Sequence, residues 1–271
     1  MVSYLTQSIM KKLILTSLLF AWSAAYAQTS DVVLTIPEYY LPKDFNFSLG
    51  GVGLYQPKYM GSDERRAVAY PLFDAQWKNG IFFSSINGLG YNFSKDPQLQ
   101  YGLRMTAEAA RDAGLTSKLN GLGDVDTALE IGGFFNYTVT PNYSLLSSVR
   151  YGSGLDHNGL QISFAGRATT AINDRHRLTA TLRTTWANGN YMQSYFGVNN
   201  AQSIASGYSI YTPNSGITDV KLGASWHWTI DTNWSLTTGA TVSRYSSDVA
   251  RSPFVFQRSP VSFFSAASYR F

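Results

Sequence analysis

The sequence predicts an all-β protein, a transmembrane antiparallel up-and-down β-barrel of twelve strands, with ten as the alternative count. Three observations carry this. After Asp44, segments of about ten residues alternate apolar and polar side chains, and a period of two marks a strand with two unlike faces. Charged residues are 14% of the chain and aromatics 15%, against roughly 25% charged in an ordinary soluble domain. Mean hydropathy is −0.12. That value excludes a bundle of membrane helices and fits strands whose two faces average out. Third, the N-terminus reads as a secretion signal.

Lys11 and Lys12 precede an apolar run from Leu13 to Ala21, and small residues follow, ending Ala25-Tyr26-Ala27. That order describes a signal peptide over residues 1–27, with Ala25 and Ala27 as its A-x-A site. The nine residues before Met10 carry no basic residue, so the start is Met1 or Met10. The apolar run is too short to span a bilayer, and no other segment approaches 18 uncharged apolar residues. Residues 28–44, with Pro37 and Pro42, read as an extended periplasmic lead-in, and residues 45–271 as the outer-membrane barrel domain. The formal charge is +4, and losing Lys11 and Lys12 brings it to +2. Basic residues nowhere cluster with stacking aromatics, so nucleic acid is not an expected partner. Cys is absent, which removes disulfides and thiolate metal sites.

Strands are expected at about 45–55, 67–77, 80–93, 99–109, 124–139, 143–151, 159–171, 177–187, 217–230, 234–244 and 259–271. The alternation is clearest in "VKLGASWHWTI", where Val220, Leu222, Ala224, Trp226, Trp228 and Ile230 oppose Lys221, Gly223, Ser225, His227 and Thr229. In "DVDTALEIGGFFNYTV", Val125, Leu129, Ile131, Phe135, Tyr137 and Val139 oppose Asp126, Glu130 and Asn136. Eleven is odd, and single-chain bacterial barrels have even counts. Either the segment 80–93 bends at Asn87-Gly88 into two strands, or residues before Phe45 add one. Tyr137, Trp186, Trp228, Trp234 and Tyr269 stand at strand ends on the apolar face, as an interfacial girdle requires. The opposite face carries Arg104, Glu108, Glu130, Arg167, Arg183 and Lys221, suited to a hydrated lumen whose charges pair across it.

Short turns at 140–142, 173–175 and 231–233 alternate with long connections at 111–123, 152–158, 188–216 and 246–258. Outer-membrane barrels keep short turns periplasmic and long loops outside. The last strand therefore runs inward. In "VSFFSAASYRF", Val261, Phe263, Ala267, Tyr269 and Phe271 share the apolar face, with Ser265 as the exception there and Phe264 on the other face. A terminal Phe with alternating aromatics also resembles the tag read by the barrel assembly machinery, which marks Phe263, Tyr269 and Phe271 as an assembly signal.

Several segments in order, "YMGSDERR" (59–66), "YPLFDAQW", "LNGLGDVD" (119–126), "WANGNYMQSYFGV" (186–198) and "SGYSIYTPNSGITD" (206–219), resemble the MipA/OmpV family of outer-membrane proteins. MipA stands for MltA-interacting protein. The resemblance implies location in the cell outer membrane. For the best-described branch it implies a scaffold that joins a lytic transglycosylase to a bifunctional peptidoglycan synthase. Partners expected on this basis are outer-membrane lipids, the assembly machinery and periplasmic peptidoglycan enzymes. Other branches are linked to adhesion, osmotic response and antibiotic susceptibility, so a small pore or a surface adhesin acting through the outer loops is the alternative. The resemblance supplies no catalytic residue.

An enzyme, a metal site and a cofactor are not expected. Ser153, Asp156 and His157 lie together in an outer loop, but Ser, Asp and Asn crowd such loops for turn reasons. His176 reads as a solvated turn residue and His227 as a lumen imidazole bonded to a neighbour. The segment holding Tyr59, Gly61, Ser62, Asp63, Arg65 and Arg66 reads as a bend with charges facing water, or as a docking or lumen-plugging element. Tyr195, Phe196 and Gly197 sit in a loop whose aromatics either pack over the barrel mouth or form a binding patch.

Overall fold

The computed structural model describes residues 44–271. The expected signal peptide with Ala25 and Ala27, the choice between Met1 and Met10, and the lead-in up to residue 43 lie outside the described residues. The described chain forms twelve strands: β1 (Phe45–Pro57), β2 (Arg65–Trp77), β3 (Ile81–Ser84), β4 (Gly88–Asn92), β5 (Leu99–Glu108), β6 (Ala128–Thr140), β7 (Tyr143–Ser153), β8 (Gly159–Ala171), β9 (His176–Ala187), β10 (Gly216–Thr229), β11 (Trp234–Tyr245) and β12 (Val261–Arg270). Each pairs antiparallel with its chain neighbours, and β12 returns to β1, so the sheet closes. The twelfth strand comes from residues 80–93, which fold into the hairpin β3–β4. Gly88 allows that turn because it holds φ +77°, where a Cβ would also fall 2.0 Å from the Met105 carbonyl oxygen.

Closure is what lipid demands of a sheet, since an open edge would leave main-chain groups unpaired in hydrocarbon. The β1–β12 register runs from Ser48↔Arg270 to Tyr55↔Phe263. At Gly50 the strands approach so closely that a Cβ would lie 2.1 Å from the Ala267 carbonyl oxygen. Below it the seam is spanned by rings. Trp234 meets Tyr269 (5.2 Å), Tyr269 meets Phe271 (4.9 Å), Phe271 meets Phe47 (5.5 Å), Phe47 meets Phe45 (6.1 Å) and Phe45 meets Trp77 (5.0 Å). The Phe271 N–H donates to the Phe47 carbonyl at 3.0 Å. Phe263 lies higher, half exposed on the outer face, while Phe264 points into the lumen against Val52 and Leu54.

Alternation sorts the two faces as expected. Leu103, Ile131, Phe135, Leu145, Phe164, Leu182 and Leu222 are each more than 50% exposed. Such a belt is stable in lipid and not in water. Two expectations fail. The strand placed at 124–139 starts at Ala128. Val125 is fully buried with Tyr191, Met192 and Phe196 rather than facing lipid, because it forms an isolated bridge with Arg111 above the strand proper. His176 is not a solvated turn residue. Its ring stacks beside Trp226 (5.5 Å) and Trp228 (5.9 Å), which shield it from water.

Replacing Gly50 by Val should block closure. The expected outcome is loss of the heat-dependent gel shift that marks a folded barrel, while Gly53→Val, where nothing lies within 4 Å of a Cβ, keeps it.

Candidate functional site

Among the described residues, the lumen divides into a plugged outer half and an inner half that holds a cavity. The plug grows from four connections at the end opposite the short turns. In the connection from β9 to β10, α1 (Gly189–Phe196) and α2 (Asn200–Ser206) form. Asn188 starts α1: its side chain accepts from the Tyr191 N–H at 3.0 Å and from the Leu160 N–H at 3.0 Å, tying the helix to β8. The buried face, Tyr191, Met192, Tyr195 and Phe196, packs with Val125, Ala187 and Val249. Val249 belongs to the short α3 (Ser247–Ala250) before β12. Beside this cluster lies a second one, of Tyr59, Leu119, Leu122, Val198 and Phe254. The outer loops thus build a hydrophobic core across the barrel mouth.

Arg111 holds the two clusters together. It is 4% exposed. Its Nη1 donates to the Ser194 and Tyr195 carbonyls at 3.1 and 3.2 Å, and its Nη2 to the Gly123 carbonyl at 3.4 Å. The charge therefore sits at the C-terminus of α1, where the helix dipole favours a cation. Its guanidinium lies 5.2 Å from the centre of the Phe254 ring. Burial pushes its pKa down to about 10, against raising influences from Tyr195, Asp124 and Tyr59.

Under α1 the barrel walls supply a buried ionic knot. Arg150 Nη1 lies 2.8 Å from both Glu108 Oε2 and Glu130 Oε2. Gln161 accepts from Arg150 at 3.0 Å and donates to Glu130 at 3.2 Å and Glu108 at 3.3 Å. The Tyr191 hydroxyl donates to Glu108 Oε1 at 3.2 Å, so the plug helix is bonded to the wall below it.

The inner half differs in kind. A cavity of about 600 Å³ reaches the short-turn rim at Pro141 and Asn142. Arg167, Arg177, Arg183, Lys221 and His227 line it, with Thr169, Thr179, Thr181 and Ser225 between them. Among the described residues no Asp or Glu lines it. Asp219 sits at the upper edge, 4.0 Å from Lys221. The expected pairing of lumen charges therefore holds in the outer half and gives way to a cationic chamber in the inner half. His227 bonds Thr237 at 2.9 Å, as a lumen imidazole should.

The residues singled out in "YMGSDERR" spread over the plug and the wall. Tyr59 is buried and donates to the Phe254 carbonyl at 2.9 Å, and burial raises its hydroxyl well above the ordinary range. The Gly61 carbonyl accepts from Phe256 (2.8 Å) and Gln257 (2.9 Å). Ser62 is buried and bonds the main chain of Glu64. The bend thus exists, but its charges are tied down rather than simply hydrated. Asp63 pairs with Lys118, and Glu64 pairs with Lys58 at 2.6 Å and accepts from Thr116 at 3.0 Å. These partners hold both carboxyls below the usual range, through the Lys118 bond at Asp63 and the Lys58 bond at Glu64. Arg65 donates to the Val261 carbonyl and lies 5.1 Å from the Tyr55 ring centre, while Arg66 turns into the space under α1. Tyr195 stacks on Tyr191 at 4.5 Å, Phe196 meets Tyr245 at 6.4 Å, and Gly197 caps α1. Ser153 is buried, while His157 is exposed with Nδ1 3.3 Å from the Gly152 carbonyl; no bond among the described residues joins the two.

A family model described as MltA-interacting protein MipA matches residues 49–271. The chain belongs to the MipA family. That places it in the cell outer membrane, with its apolar belt against lipid. No curated protein matches it. Among solved structures it is similar to the NanC porin, at 10% identity and a TM-score of 0.44 over 82% of this chain and 98% of that one. It is also similar to an outer-membrane channel of Pseudomonas putida F1 (9% identity, TM-score 0.42, 90% and 98%) and to the Pseudomonas putida toluene transporter TodX (10%, 0.40, 92% and 95%).

Two residues of this MipA-family site escaped the sequence reading. Arg150 was legible: period two from Ser144 through Leu146 and Ser148 puts it inside. Arg111 was not, since "AARDAG" has no periodicity to assign it a face.

The plug makes two predictions. Arg111→Met leaves the α1 carbonyls without their cation, so planar-bilayer recordings should show more frequent stepwise conductance for the variant than for the native protein. Arg150→Ala removes the cation between two buried carboxylates, a loss of about 3–5 kcal/mol, read as a lower urea midpoint for unfolding from vesicles.

Proposed function

We propose that this barrel is a periplasm-facing scaffold for peptidoglycan-remodelling enzymes, a lytic transglycosylase first among them, rather than a conducting pore. One observation carries the reading: a buried helix and its loops fill the outer mouth, while a basic chamber opens at the short-turn end. The family name supports the choice of partner. The short turns alone are small, and a stable interface needs roughly 800 Å² on each side. The chamber relieves that shortage by letting a partner insert an acidic segment between Arg167 and Arg177.

A second reading, a surface adhesin, has its own observation. Ile204 on α2 is 80% exposed, on the loop that faces outward.

The test is co-purification from cell envelopes. Native barrel should retain a lytic transglycosylase, and Arg167→Gln with Arg177→Gln should weaken binding about a hundredfold or more, at roughly 1.5–3 kcal/mol for each charged bond lost. Capture unchanged by the double substitution removes the chamber from the interface. No capture by native protein ends the scaffold reading, and loss of cell attachment on Ile204→Asp would then support the adhesin.

A further inference from the structure

Charge at the outer rim is sorted by side. In the connections from β5 to β6 and from β7 to β8, Asp112, Asp124, Asp126 and Asp156 are exposed. Across the barrel, β11, β12, β1 and β2 stand side by side. There Arg244 is exposed, Arg65 is half-exposed, and the exposed Arg258 lies just before β12. Register fixes which way the first two point. Arg244 pairs with Val220, and Arg65 pairs with Pro57, two residues past Tyr55. Val220 and Tyr55 are exposed on the apolar outer face. Period two therefore puts Arg65 and Arg244 on the lipid side of the wall, at the end nearest the long loops.

Both arginines reach toward the same strand. Arg65 crosses the end of β1 and donates to the Val261 carbonyl, with its guanidinium 5.1 Å from the centre of the Tyr55 ring. Arg244 comes from the other side, and its Nη1 donates to Ser259 Oγ at 2.9 Å. Residues 258–260 run alongside β11, since Ser243 and Tyr245 donate to the Pro260 and Arg258 carbonyls at 3.0 Å. Two residues of extended chain separate the anchor points of the two guanidinium groups by about 7 Å. Each anchor occupies one of five N–H donors. The carboxylates nearest in sequence are engaged elsewhere, Glu64 with Lys58 at 2.6 Å and Asp248 with Arg251. Like charges at this spacing repel, and an anion between them reverses the sign.

Below the pair the wall turns apolar at once. Tyr55, Phe263 and Val242 are exposed on the same face. Cations directly above an apolar belt stand at the level of the lipid headgroups, and the long loops make this the outer leaflet. An anion held there, with acyl chains continuing down over Tyr55 and Phe263, is a lipid phosphate. Guanidinium bonds phosphate bidentately. A phosphate monoester suits two arginines better than a diester, because it offers three acceptor oxygens and close to two charges. We propose that Arg65 and Arg244, with Arg258 beside them, bind the phosphate monoester of an outer-leaflet glycolipid whose acyl chains lie on Tyr55, Phe263 and Val242. This does not depend on the scaffold reading, which concerns the opposite end of the barrel.

Native mass spectrometry of the full-length folded barrel in detergent tests it. Lipid A, a glycolipid with two phosphate monoesters, is the probe, and the same glycolipid stripped of phosphate controls for its acyl chains. Native protein should bind lipid A about tenfold tighter than the stripped form. Arg65→Gln with Arg244→Gln should weaken lipid A binding about tenfold or more. Arg251→Gln, on a loop and paired with Asp248, should leave it unchanged. Arg244→Gln alone replaces the double variant if the latter loses its heat-dependent gel shift, and should weaken binding about threefold or more. Binding unchanged in the arginine variants overturns the site, as does equal affinity for the stripped glycolipid or no binding by native protein. An equal loss in Arg251→Gln also overturns it, since net charge alone would then set the affinity. Inorganic phosphate that binds as tightly as lipid A assigns the arginines to a free anion and overturns the lipid.

Discussion

Main-chain hydrogen bonding in hydrocarbon governs this structure. Each unpaired N–H or C=O in lipid costs several kcal/mol, far more than any side-chain contact on the outer face contributes. The chain answers by closing β12 onto β1. Closure in turn sets local composition. Gly50 is required where β1 crosses the Ala267 carbonyl, and the aromatic run through Tyr269, Phe271, Phe47 and Phe45 lies across the seam itself. The exposed leucines and phenylalanines, a liability on a soluble surface, are satisfied by lipid once the main chain is.

The lumen shows what happens where that demand relaxes. Water can reach inside, so the walls tolerate Ser, Thr and charge. The outer half nevertheless excludes water by building a core from loops, and this has an electrostatic consequence. Buried beside α1, Arg150 must be compensated, and Glu108 and Glu130 meet it at 2.8 Å. Arg111 lacks a carboxylate at that range among the described bonds and is held by carbonyls at a helix end. Below, where the cavity reaches the rim, solvent screens Arg167 and Arg177 from one another, while Lys221, higher up, has Asp219 at 4.0 Å. The split into a neutralised outer half and a cationic inner half thus follows from where water is excluded. It also underlies the choice of the short-turn end as the proposed docking face.

How much of this was legible follows the same division. The lipid-facing side obeys period two because lipid allows no exception, so strands such as 159–171 and 177–187 and the inward turn of Phe264 could be read directly. The hairpin β3–β4 was legible in part: Asn87-Gly88 flagged the bend that completes twelve strands. The plug was not. Val125 continues the alternation of Leu129 and Ile131, yet it belongs to the core under α1, and nothing local distinguishes burial against lipid from burial against a folded-back loop. His176 failed for a similar reason, since its turn position says nothing of Trp226 and Trp228 on the neighbouring strand. The family segments pointed to residues of the plug, but Tyr59 and Tyr195 meet Phe254 and Ala109 through pairings of long sequence separation that alternation does not encode.

The short hairpin sharpens the question of strand count. Without β3 and β4, β2 and β5 could pair along their length and give a closed barrel of ten. β3 and β4 have only four and five residues, against 13 and 10 for β2 and β5. Period two alone reads residues 80–93 as one long strand. What divides them is the backbone at Gly88, held at φ +77° with no room for a Cβ beside the Met105 carbonyl. The even count therefore rests on one glycine's conformation, which side-chain alternation does not encode and the Asn87-Gly88 pair does signal.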